Sequence, residues 1–458
     1  MANEKDNTRY KPRPISGYPE WLPEQRAVEL QWLDTIRSVF ESYGYCNIET
    51  PSVEELDALT AKGGDEKEIY TLTRLHADPE TDKEARLALH FDLTVPLARY
   101  AAQHFNALTF PFKRYQMQRV WRGERPQKGR FREFYQCDID VINIDHLPLY
   151  FDAEMPQVMY DVYQKLDLPE DVQIRISNRK ILTGYLEGLG VAPQNMTAVT
   201  RILDKFEKIG AENVMRQLVE EVNLQAKTAE KALALASIRG SADGIAEALG
   251  GLGIENAVMG EGIEELVFVL ESLSHLPEGA AIADLSIVRG LDYYTGTILE
   301  AVFPHDTGFG SVGSGGRYDD LTGSFINRKM PGIGISIGLT RLFSRMVEQN
   351  ALQVEAGRVS PTDILVVQQN EAAYQAAQAT ARILRSRGFN VETFHSATKM
   401  KKQLAYAEKK SIPFVWFPPA EQGGGHEVKD MALHTQQPAD PEDWQPENPE
   451  ILCIRKKM

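Results

Sequence analysis

The stretch FKRYQMQRVWRGERPQKGRFREFYQCDID, from Phe112 to Asp140, alternates apolar and polar residues on both sides of a basic segment that contains glycine and proline. Alternation with period two is typical of β-strands that bury one face. We therefore predict two antiparallel strands, Phe112 to Trp121 and Phe131 to Ile144, joined by a long loop from Arg122 to Arg130.

This predicted hairpin carries a concentrated positive charge. Between Lys113 and Arg132 there are eight Lys or Arg residues and one acid, Glu124, although the whole chain has a net charge of −15. Two arginines at the ends of a loop can bind phosphates, a carboxylate between them can accept from an amino group, and an aromatic ring can stack on a base. Arg122, Glu124, Arg130 and Phe134 are therefore candidates for a nucleotide site. A solvated basic hairpin is about equally compatible with the charge alone.

The composition excludes several classes of protein. With 458 residues, 43% hydrophobic and 25% charged, the chain is predicted to fold into two or three domains. The negative net charge argues against non-specific coating of nucleic acid, DNA included. Three dispersed cysteines and nine histidines without an H-E-x-x-H pattern argue against a disulfide framework and a zinc site. No apolar run has the length of a membrane span or a signal peptide, so we expect a cytoplasmic protein.

The rest of the chain divides by pattern into further segments. Apolar residues recur at helical spacing from Glu24 to Tyr43, and a strand containing Pro51 is expected from Asn47 to Val53. We predict a first segment over 1–177, a helical insertion over 178–276, a second segment over 277–357 that belongs to the same domain as the first, and a separate α/β domain over 361–458. The polar part of that last domain, Glu421 to Glu450, has no clear pattern.

Four shorter motifs add candidate residues. In SIVRGLDYYTGTILE (286–300), Arg289, Tyr293 and Tyr294 precede a glycine. GFGSVGSGGRYDDL (308–321) matches G-x-G-x-x-G, but it lies between strand-like segments and lacks a dinucleotide-binding context. PGIGISIGLTRLF (331–343) predicts a strand followed by a helix with Arg341 in its first turn, where a cation opposes the helix dipole and favours an anionic partner. In FDLTVPL (91–97), Asp92 is a candidate helix cap or ligand contact.

Taken in this order, RVWRGERPQKGRFREF, RGLDYYTG, GGRYDDL and GIGISIGLTRL resemble the histidyl-tRNA synthetases, a family of class IIa aminoacyl-tRNA synthetases. The first and last resemble class II motifs 2 and 3, and the other two resemble histidine-specific segments. The resemblance implies an α+β catalytic domain with a mixed, mainly antiparallel sheet flanked by helices, a helical insertion and a C-terminal α/β anticodon-binding domain.

The resemblance also implies roles for individual residues. Arg122 and Arg289 would act on the reacting phosphate as catalytic residues. The residues implied to bind ATP are Arg122, Glu124, Arg130, Phe134 and Arg341. Those implied to bind histidine are Asp92, Gln136, Asp140, Arg289, Tyr293, Tyr294 and Tyr318. Some family members have Glu at positions 92 and 140, so the shorter Asp leaves the reach of these carboxylates open.

The implied substrates are L-histidine, ATP with Mg²⁺ as a substrate complex, and tRNA(His). The resemblance implies a homodimer and no zinc, organic cofactor or metal site built by protein side chains alone. Lys399, Lys401 and Lys402 are candidate tRNA phosphate contacts, and a solvated helix face is at least as compatible with each of them.

Two alternatives differ in chemistry. A non-catalytic histidine-sensing paralogue, such as a regulatory subunit of ATP phosphoribosyltransferase, would keep the fold without the ATP-site cations. Another class IIa synthetase, prolyl or threonyl, would activate a different amino acid, and RGLDYYTG together with GGRYDDL argues against it. Amino-acid-dependent pyrophosphate exchange distinguishes the three.

Overall fold

The computed structural model forms two compact units. The larger unit consists of Met1–Pro19 and Leu33–Arg345, and the smaller unit of Glu20–Trp32 and Met346–Met458. The structure describes residues 10–60, 68–76, 86–288, 294–320, 322–354, 360–419, 424–448 and 456–457.

The predicted basic hairpin is present in the larger unit. Strands β5 (Phe112–Trp121) and β6 (Glu133–Ile142) are antiparallel and pair from Phe112 opposite Ile142 to Trp121 opposite Glu133. The second strand begins two residues later than predicted. The reason is that the Arg132 N–H donates to the Gly17 carbonyl at 2.7 Å, so this part of the backbone pairs with the N-terminal arm.

This hairpin belongs to a nine-stranded sheet, in which only the pairs β1 with β5 and β7 with β9 are parallel. The mixed, mainly antiparallel sheet predicted for the catalytic domain is therefore confirmed. In spatial order its strands are β1 (Cys46–Asn47), β5, β6, β12 (Gly332–Ile337), β11 (Gly313–Tyr318), β10 (Thr297–Val302), β7 (Gln173–Asn178), β9 (Ala281–Asp284) and β8 (Arg239–Gly240).

Two strand predictions differ from the structure. The strand expected over Asn47 to Val53 is broken, because Pro51 has no N–H to donate and the Thr50 carbonyl accepts from the Gln118 side chain at 2.8 Å. Val53 instead begins β2, which belongs to a separate three-stranded sheet. The second difference concerns the glycine-rich run over 308–321, which contains β11, a central strand of the large sheet. The small sheet has the order β2 (Val53–Glu55), β4 (Leu87–Leu89) and β3 (Thr71–Leu72).

Several helices belong to the larger unit, and the first of them begins in the smaller unit and continues into the larger one. The predicted first helix is confirmed as α1 (Pro23–Ser42), which buries Val28, Ile36 and Phe40 at helical spacing. The other helices before the insertion are α2 (Leu56–Thr60), α3 (Thr94–Gln103) and α4 (Tyr150–Leu166), and a 3-10 turn lies at Phe105–Ala107. After the insertion there are a 3-10 turn at Thr307–Phe309 and the helix α11 (Leu339–Glu348), which follows β12.

The segment between β7 and β9 is mainly helical. The Asn178 side chain accepts from the Lys180 N–H at 2.9 Å, which caps the first of its helices. The two-residue strand β8 interrupts the segment and pairs with β9. Its helices are α5 (Arg179–Gly188), α6 (Pro193–Leu203), α7 (Phe206–Glu220), α8 (Ala226–Ala236), α9 (Ala242–Gly250) and α10 (Ala257–Ser272).

The smaller unit contains a five-stranded sheet of its own. Strand β14 pairs in parallel with β15 and β16, as the alternating strand and helix pattern predicts, and β17 and β18 extend the sheet antiparallel. Its elements are β14 (Ile364–Val366), α12 (Tyr374–Ser386) after a 3-10 turn at Glu371–Ala373, β15 (Val391–Thr393), α13 (Met400–Lys409), β16 (Phe414–Phe417), β17 (Glu427–Asp430) and β18 (Gln436–Pro438); β13 (Gln353–Val354) pairs with β19 (Lys456–Lys457).

The polar segment after Glu421, which has no clear sequence pattern, therefore supplies two strands and an aromatic anchor. The Trp444 ring centroid lies 5.0 Å from that of Phe414 and 5.5 Å from that of Trp416, in edge-to-face contact. Trp444 belongs to the same core cluster as Ile364 and Leu384. This segment is part of the folded core of the smaller unit.

Replacing Trp444 by Ala is expected to destabilise the smaller unit by about 3–5 kcal/mol, because it removes a large buried aromatic side chain. Chemical denaturation followed by fluorescence would measure the change. Leu433→Ala, in the same segment and 64% exposed, is the control and should shift stability by less than about 0.5 kcal/mol. Equal effects of the two substitutions would show that the segment does not support the core.

Within the described part of the chain, no helix combines the length and apolar character that crossing a bilayer requires.

Candidate active site

A polar cleft of about 230 Å³ lies on the larger unit, where the hairpin loop meets β11, β12 and the start of α11. Residues from three of the sequence motifs line this cleft: the basic hairpin, the glycine-rich run and the segment that contains Arg341. Six of the predicted site residues are among them: Arg122, Glu124, Arg130, Phe134, Gln136 and Arg341. The fold thus brings together cations that are about 200 positions apart in the sequence.

The loop side of the cleft is an ion-pair cluster centred on Glu124. One carboxylate oxygen of Glu124 accepts from Arg130 Nη1 at 3.0 Å, and the other lies 4.0 Å from Arg122 Nη1. Arg122 also donates from Nε to the Phe91 carbonyl at 3.0 Å, and its guanidinium carbon lies 5.3 Å from the Phe134 ring centroid. These contacts fix the direction of the Arg122 guanidinium before any ligand binds.

Arg341 approaches the cleft from the opposite side. It lies in the first turn of α11, as predicted, and donates to the Phe309 carbonyl. Its guanidinium carbon is 4.9 Å from the Phe309 ring centroid. A carbonyl oxygen and an aromatic face therefore help to orient this cation.

A row of polar residues at alternate positions of adjacent strands, called the floor here, reaches the cleft at Gln136, Ser314 and Ser336. Arg114, Gln116 and Gln118 on β5 stand opposite Asp140, Asp138 and Gln136 on β6. Beyond β6, Gly334 and Ser336 on β12 are opposite Asp140 and Asp138, and Ser314 on β11 is opposite Ser336.

Hydrogen bonds connect part of this floor, but the buried acceptors Gln136 Oε1 and Asp138 Oδ1 have no hydrogen-bond partner among the described residues. Gln136 donates from Nε2 to the Ser336 hydroxyl at 2.8 Å. A buried amide oxygen without a donor is costly, so a ligand N–H is its natural partner.

Asp140 and two of the predicted tyrosines lie together beside this floor. The Tyr318 hydroxyl donates to Asp140 Oδ1 at 2.9 Å. A Cβ placed on Gly334 would lie 2.1 Å from that same oxygen, and a Cβ on Gly316 would lie 2.8 Å from the Tyr294 ring. Glycines at these two paired positions therefore make room for the carboxylate and for the Tyr294 ring.

Burial controls the electrostatics of the acidic residues. Desolvation raises the pKa of Asp140 to about 6, although Arg114 and the Tyr318 hydroxyl oppose the rise. Desolvation also raises the pKa of Asp138, to about 7, and the nearby Asp140 and Asp92 carboxylates add to the rise. The pKa of Asp92 is raised by burial as well and lowered by the Val95 N–H and Arg122.

Asp92 has a structural partner in addition to its place near the cleft. Its Oδ1 accepts from the Val95 N–H at 3.1 Å, which caps the first turn of α3. The adjacent Phe91 carbonyl accepts from Arg122. Both interpretations of this acid, helix cap and site neighbour, are therefore compatible with its position.

The remaining predicted residues are placed as follows. Arg289 and Tyr293 lie outside the described residues. Lys399, Lys401 and Lys402 are exposed at the start of α13, whose buried face carries Gln403 and Ala407. Among the described residues, no group of three or more His, Cys, Asp or Glu side chains is arranged to hold a metal ion.

Sequence reasoning missed six polar residues of the floor, among them the two glutamines Gln116 and Gln118. Arg114, Asp138, Ser314 and Ser336 carry its charge and hydroxyl groups, yet each lies in a segment interpreted only as a strand or a glycine-rich run. The available signal was the repetition of polar residues at every second position of both hairpin strands. In a strand buried on both faces, such a row indicates a polar site rather than solvent.

The N-terminal arm holds one end of the hairpin loop in place. The Gly17 carbonyl accepts from the N–H groups of Arg132 and Glu133 at 2.7 and 3.2 Å. Gly17 has a φ of +86°, and a Cβ there would lie 2.9 Å from Pro126 and 3.0 Å from Arg132. The arm can therefore approach the loop this closely only with glycine.

Substituting Gly17 by Ala is expected to raise the KM for a nucleotide bound in this cleft by about 10-fold, because the loop that carries Arg122 and Arg130 must shift. Steady-state kinetics and thermal unfolding would be measured together. Gly44→Ala is the matched control, since Gly44 has a φ of +78° and nothing within 4 Å of a Cβ. Equal KM values for the two variants would remove the loop-positioning role.

The sheet topology and the cleft at its hairpin together define a class II aminoacyl-tRNA synthetase catalytic domain. The family model described as "Histidyl-tRNA synthetase" matches residues 17–342, and that described as "Anticodon binding domain" matches residues 363–417. The chain belongs to the histidyl-tRNA synthetase family.

Individual relatives agree with this assignment. The chain is 55% identical over 434 residues to "Histidine--tRNA ligase" of Thermobifida fusca (strain YX), covering 95% of this chain and 98% of the relative. The crystal structure of histidyl-tRNA synthetase from Nostoc sp. PCC 7120 matches with a TM-score of 0.82 and 37% identity, covering 94% of this chain and 97% of that one.

A more distant structure shares the fold alone. It is described as "an ATP phosphoribosyltransferase regulatory subunit/histidyl-tRNA synthetase from Bacillus halodurans C" and matches with a TM-score of 0.72 and 21% identity, covering 91% of this chain and 100% of that one. The much higher identity to a histidine–tRNA ligase favours the catalytic interpretation over the sensing paralogue.

Proposed function

We propose that this protein is a histidine–tRNA ligase that works in two steps. In the first, the carboxylate of L-histidine attacks the α-phosphorus of ATP, forming histidyl-adenylate and releasing pyrophosphate. In the second, a terminal ribose hydroxyl of tRNA(His) attacks the histidyl carbonyl and AMP leaves. The family assignment and the 55% identity to a histidine–tRNA ligase support this activity.

The cations of the cleft match the charge that develops in the first step. We assign Arg122 to the α-phosphate and Arg341 to the γ-phosphate of ATP, with Arg130 beside them. Oriented guanidiniums stabilise negative charge on the transferring phosphoryl group and on the departing pyrophosphate. ATP would enter as its Mg²⁺ complex, and the described residues offer no carboxylate cluster for a separate metal.

The adenine base has two partners in this assignment. Phe134, which lines the cleft, would stack on the purine, and Glu124 would accept from its amino group. In the structure Glu124 is bonded to Arg130, so this carboxylate would be shared between the base and the loop cation when ATP is bound.

Histidine would lie over the glycine positions of β11 and β12. Its ammonium group would donate to Gln136 Oε1, which is buried and has no donor among the described residues, with Asp92 nearby. Its imidazole would lie among Asp140, Tyr294 and Tyr318. These pocket groups would form hydrogen bonds with the ring nitrogens of histidine. An amino acid without ring nitrogens would leave the buried polar atoms of the pocket unpaired, so the enzyme would select strongly against it.

Arg289 and Tyr293 complete the assignment from the sequence motif. Arg289 would place a second guanidinium at the α-phosphate, and Tyr293 would line the histidine pocket. Both roles follow from the match of RGLDYYTG to the family motif.

The smaller unit would recognise tRNA. The anticodon-binding family match covers β14 to β16, and Lys399, Lys401 and Lys402 would contact phosphates from the start of α13. We further propose that the enzyme acts as a homodimer and works in the cytoplasm, where tRNA charging supplies the ribosome.

One observation carries the proposal: Arg122 and Arg341 line a single cleft together with Gln136, which lies on the same strand as Asp140. Pyrophosphate exchange into ATP, measured with each amino acid in turn, tests it. Exchange that requires histidine is the expected result. Exchange with proline or threonine would overturn the pocket assignment, and no exchange with any amino acid would indicate a sensing paralogue.

A further inference from the structure

Arg114 is a fully buried cation between the two acids assigned to histidine. Its side chain is 0% exposed. Nη2 lies 2.5 Å from Asp140 Oδ2 and donates to the Leu93 carbonyl at 3.2 Å, while Nη1 donates to Gln116 Oε1 at 3.4 Å. One guanidinium thus joins the Asp140 carboxylate on β6 to the backbone residue that follows Asp92.

Each oxygen of the Asp140 carboxylate has one partner and keeps a second lone pair that can accept from a ligand. Oδ2 accepts from Arg114 and Oδ1 accepts from the Tyr318 hydroxyl, so the side chain has a partner at each end. The backbone beneath it is Gly334, which permits this position. An aspartate is shorter than a glutamate, and these contacts fix where its charge lies relative to the cleft.

A buried ion pair of this kind is a poor source of stability. Removing two charges from water costs about as much as their attraction returns, and an apolar pair of similar volume is often as stable. Stability alone therefore does not explain a guanidinium at this position. Its contacts instead tie together the two chain segments that would hold the opposite ends of one histidine molecule.

We propose that Arg114 is a positioning residue for histidine selection. It holds the Asp140 carboxylate at a fixed distance from the Asp92–Leu93 turn and keeps that carboxylate ionised, so that Asp140 accepts from the substrate imidazole while Asp92 faces the ammonium group. This inference rests on the proposed function, because it assigns Arg114 to the substrate site of that same reaction.

The charged and titratable neighbours of Asp140 come from several elements. Arg114 on β5 lowers its pKa, as does the Tyr318 hydroxyl on β11, whereas burial and Asp92 before α3 raise it. Asp138 on β6 and Tyr45 before β1 also lie within electrostatic range of Asp140. Arg114 is the largest of the lowering influences.

The decisive variant is Arg114→Met, which keeps the length of the side chain and removes its charge. We expect the KM for histidine to rise at least about 30-fold, as for loss of one partner of a buried charge pair. The KM for ATP should stay within about 3-fold of the parent. Because the pKa of Asp140 rises without Arg114, the ratio of variant to parent KM for histidine should be largest near pH 6 and fall toward pH 8.5.

Two further variants separate positioning from general destabilisation. Arg175→Met is the matched control, since Arg175 is buried, pairs with Asp284 at 3.2 Å and lies four strands from Asp140 in the sheet. It should lower thermal stability without changing either KM. Arg114→Lys keeps the charge but cannot make all the guanidinium contacts, so it should raise the KM for histidine by about 3- to 10-fold, less than Arg114→Met does, and leave the KM for ATP unchanged. This variant also covers the case in which Arg114→Met does not fold.

The outcomes are distinguishable. A parental KM for histidine in Arg114→Met, a parallel rise of both KM values, or a KM ratio independent of pH would overturn the inference. If only Arg114→Lys folds, an equal change of both KM values, or none, would overturn it. Failure of the parent protein to exchange pyrophosphate with histidine would instead overturn the proposed function itself.

Discussion

Replacing Arg122 by Ala is expected to reduce histidine-dependent pyrophosphate exchange by about 10³-fold or more. Arginines that stabilise charge on a transferring phosphoryl group contribute about 10³ to 10⁵ to the rate. In the structure, this guanidinium is held by the Phe91 carbonyl and the Phe134 ring and faces the cleft, so no reorganisation is needed when charge develops. The side chain is 31% exposed, so its removal should leave thermal stability nearly unchanged.

The same loop offers a control for this experiment. Arg125 is exposed and does not line the cleft, and Arg125→Ala should exchange pyrophosphate within about 3-fold of the parent. Comparable losses in the two variants would indicate a general effect of loop charge on ATP binding. A parental rate in Arg122→Ala would remove Arg122 from the transition state.

A single methyl group at position 334 should be nearly as damaging. In Gly334→Ala the new Cβ would lie 2.1 Å from Asp140 Oδ1 and 2.5 Å from its Cγ, well inside van der Waals contact. The carboxylate must move and would lose its bonds to Tyr318 and Arg114. We expect the KM for histidine to rise about 100-fold, since small displacements at a binding site have effects of this size.

Exchange kinetics at varied histidine concentration would measure this effect, with thermal unfolding recorded for the same samples. Gly240→Ala is the control, because Gly240 also lies in a strand and has nothing within 4 Å of a Cβ. Its KM for histidine should equal that of the parent. If Gly334→Ala binds histidine normally, the Asp140 carboxylate is not part of the pocket.

The two hairpin strands could be predicted from the sequence because apolar and polar side chains alternate along them, as they do in a β-strand with one buried face. Alternation located β5 to the residue and β6 to within two residues of each end. The same alternation also predicts which loop residues lie together. A loop between two long paired strands keeps its side chains close to one another, which groups Arg122, Glu124, Arg130 and Phe134 as one candidate site. Arg341 could be added to this set because the sequence predicts a helix start after β12, where a cation favours an anionic partner.

The parts that escaped prediction are those in which side chains carry little information. Strand β11 is half glycine, so its sequence shows no alternation from which a strand can be predicted. Pro51 interrupts the strand that begins at β1. The polar strand β17 owes its place to pairing with β16, and β18 owes its place to pairing with β17, rather than to their own propensity. Nothing in the sequence distinguishes Arg114 from the other cations of the basic hairpin, because its burial depends on contacts from other segments, among them Asp140 on β6 and the Leu93 carbonyl.

The glycines of β11 and β12 also bear on the design of inhibitors. A compound that binds against the Asp140 carboxylate and the Tyr294 ring would contact two groups whose positions depend on Gly334 and Gly316. Adding a side chain to exclude the compound would displace Tyr294 or Asp140 at the same time. Drug resistance by mutation at these two positions would therefore carry a direct loss of fitness for the cell.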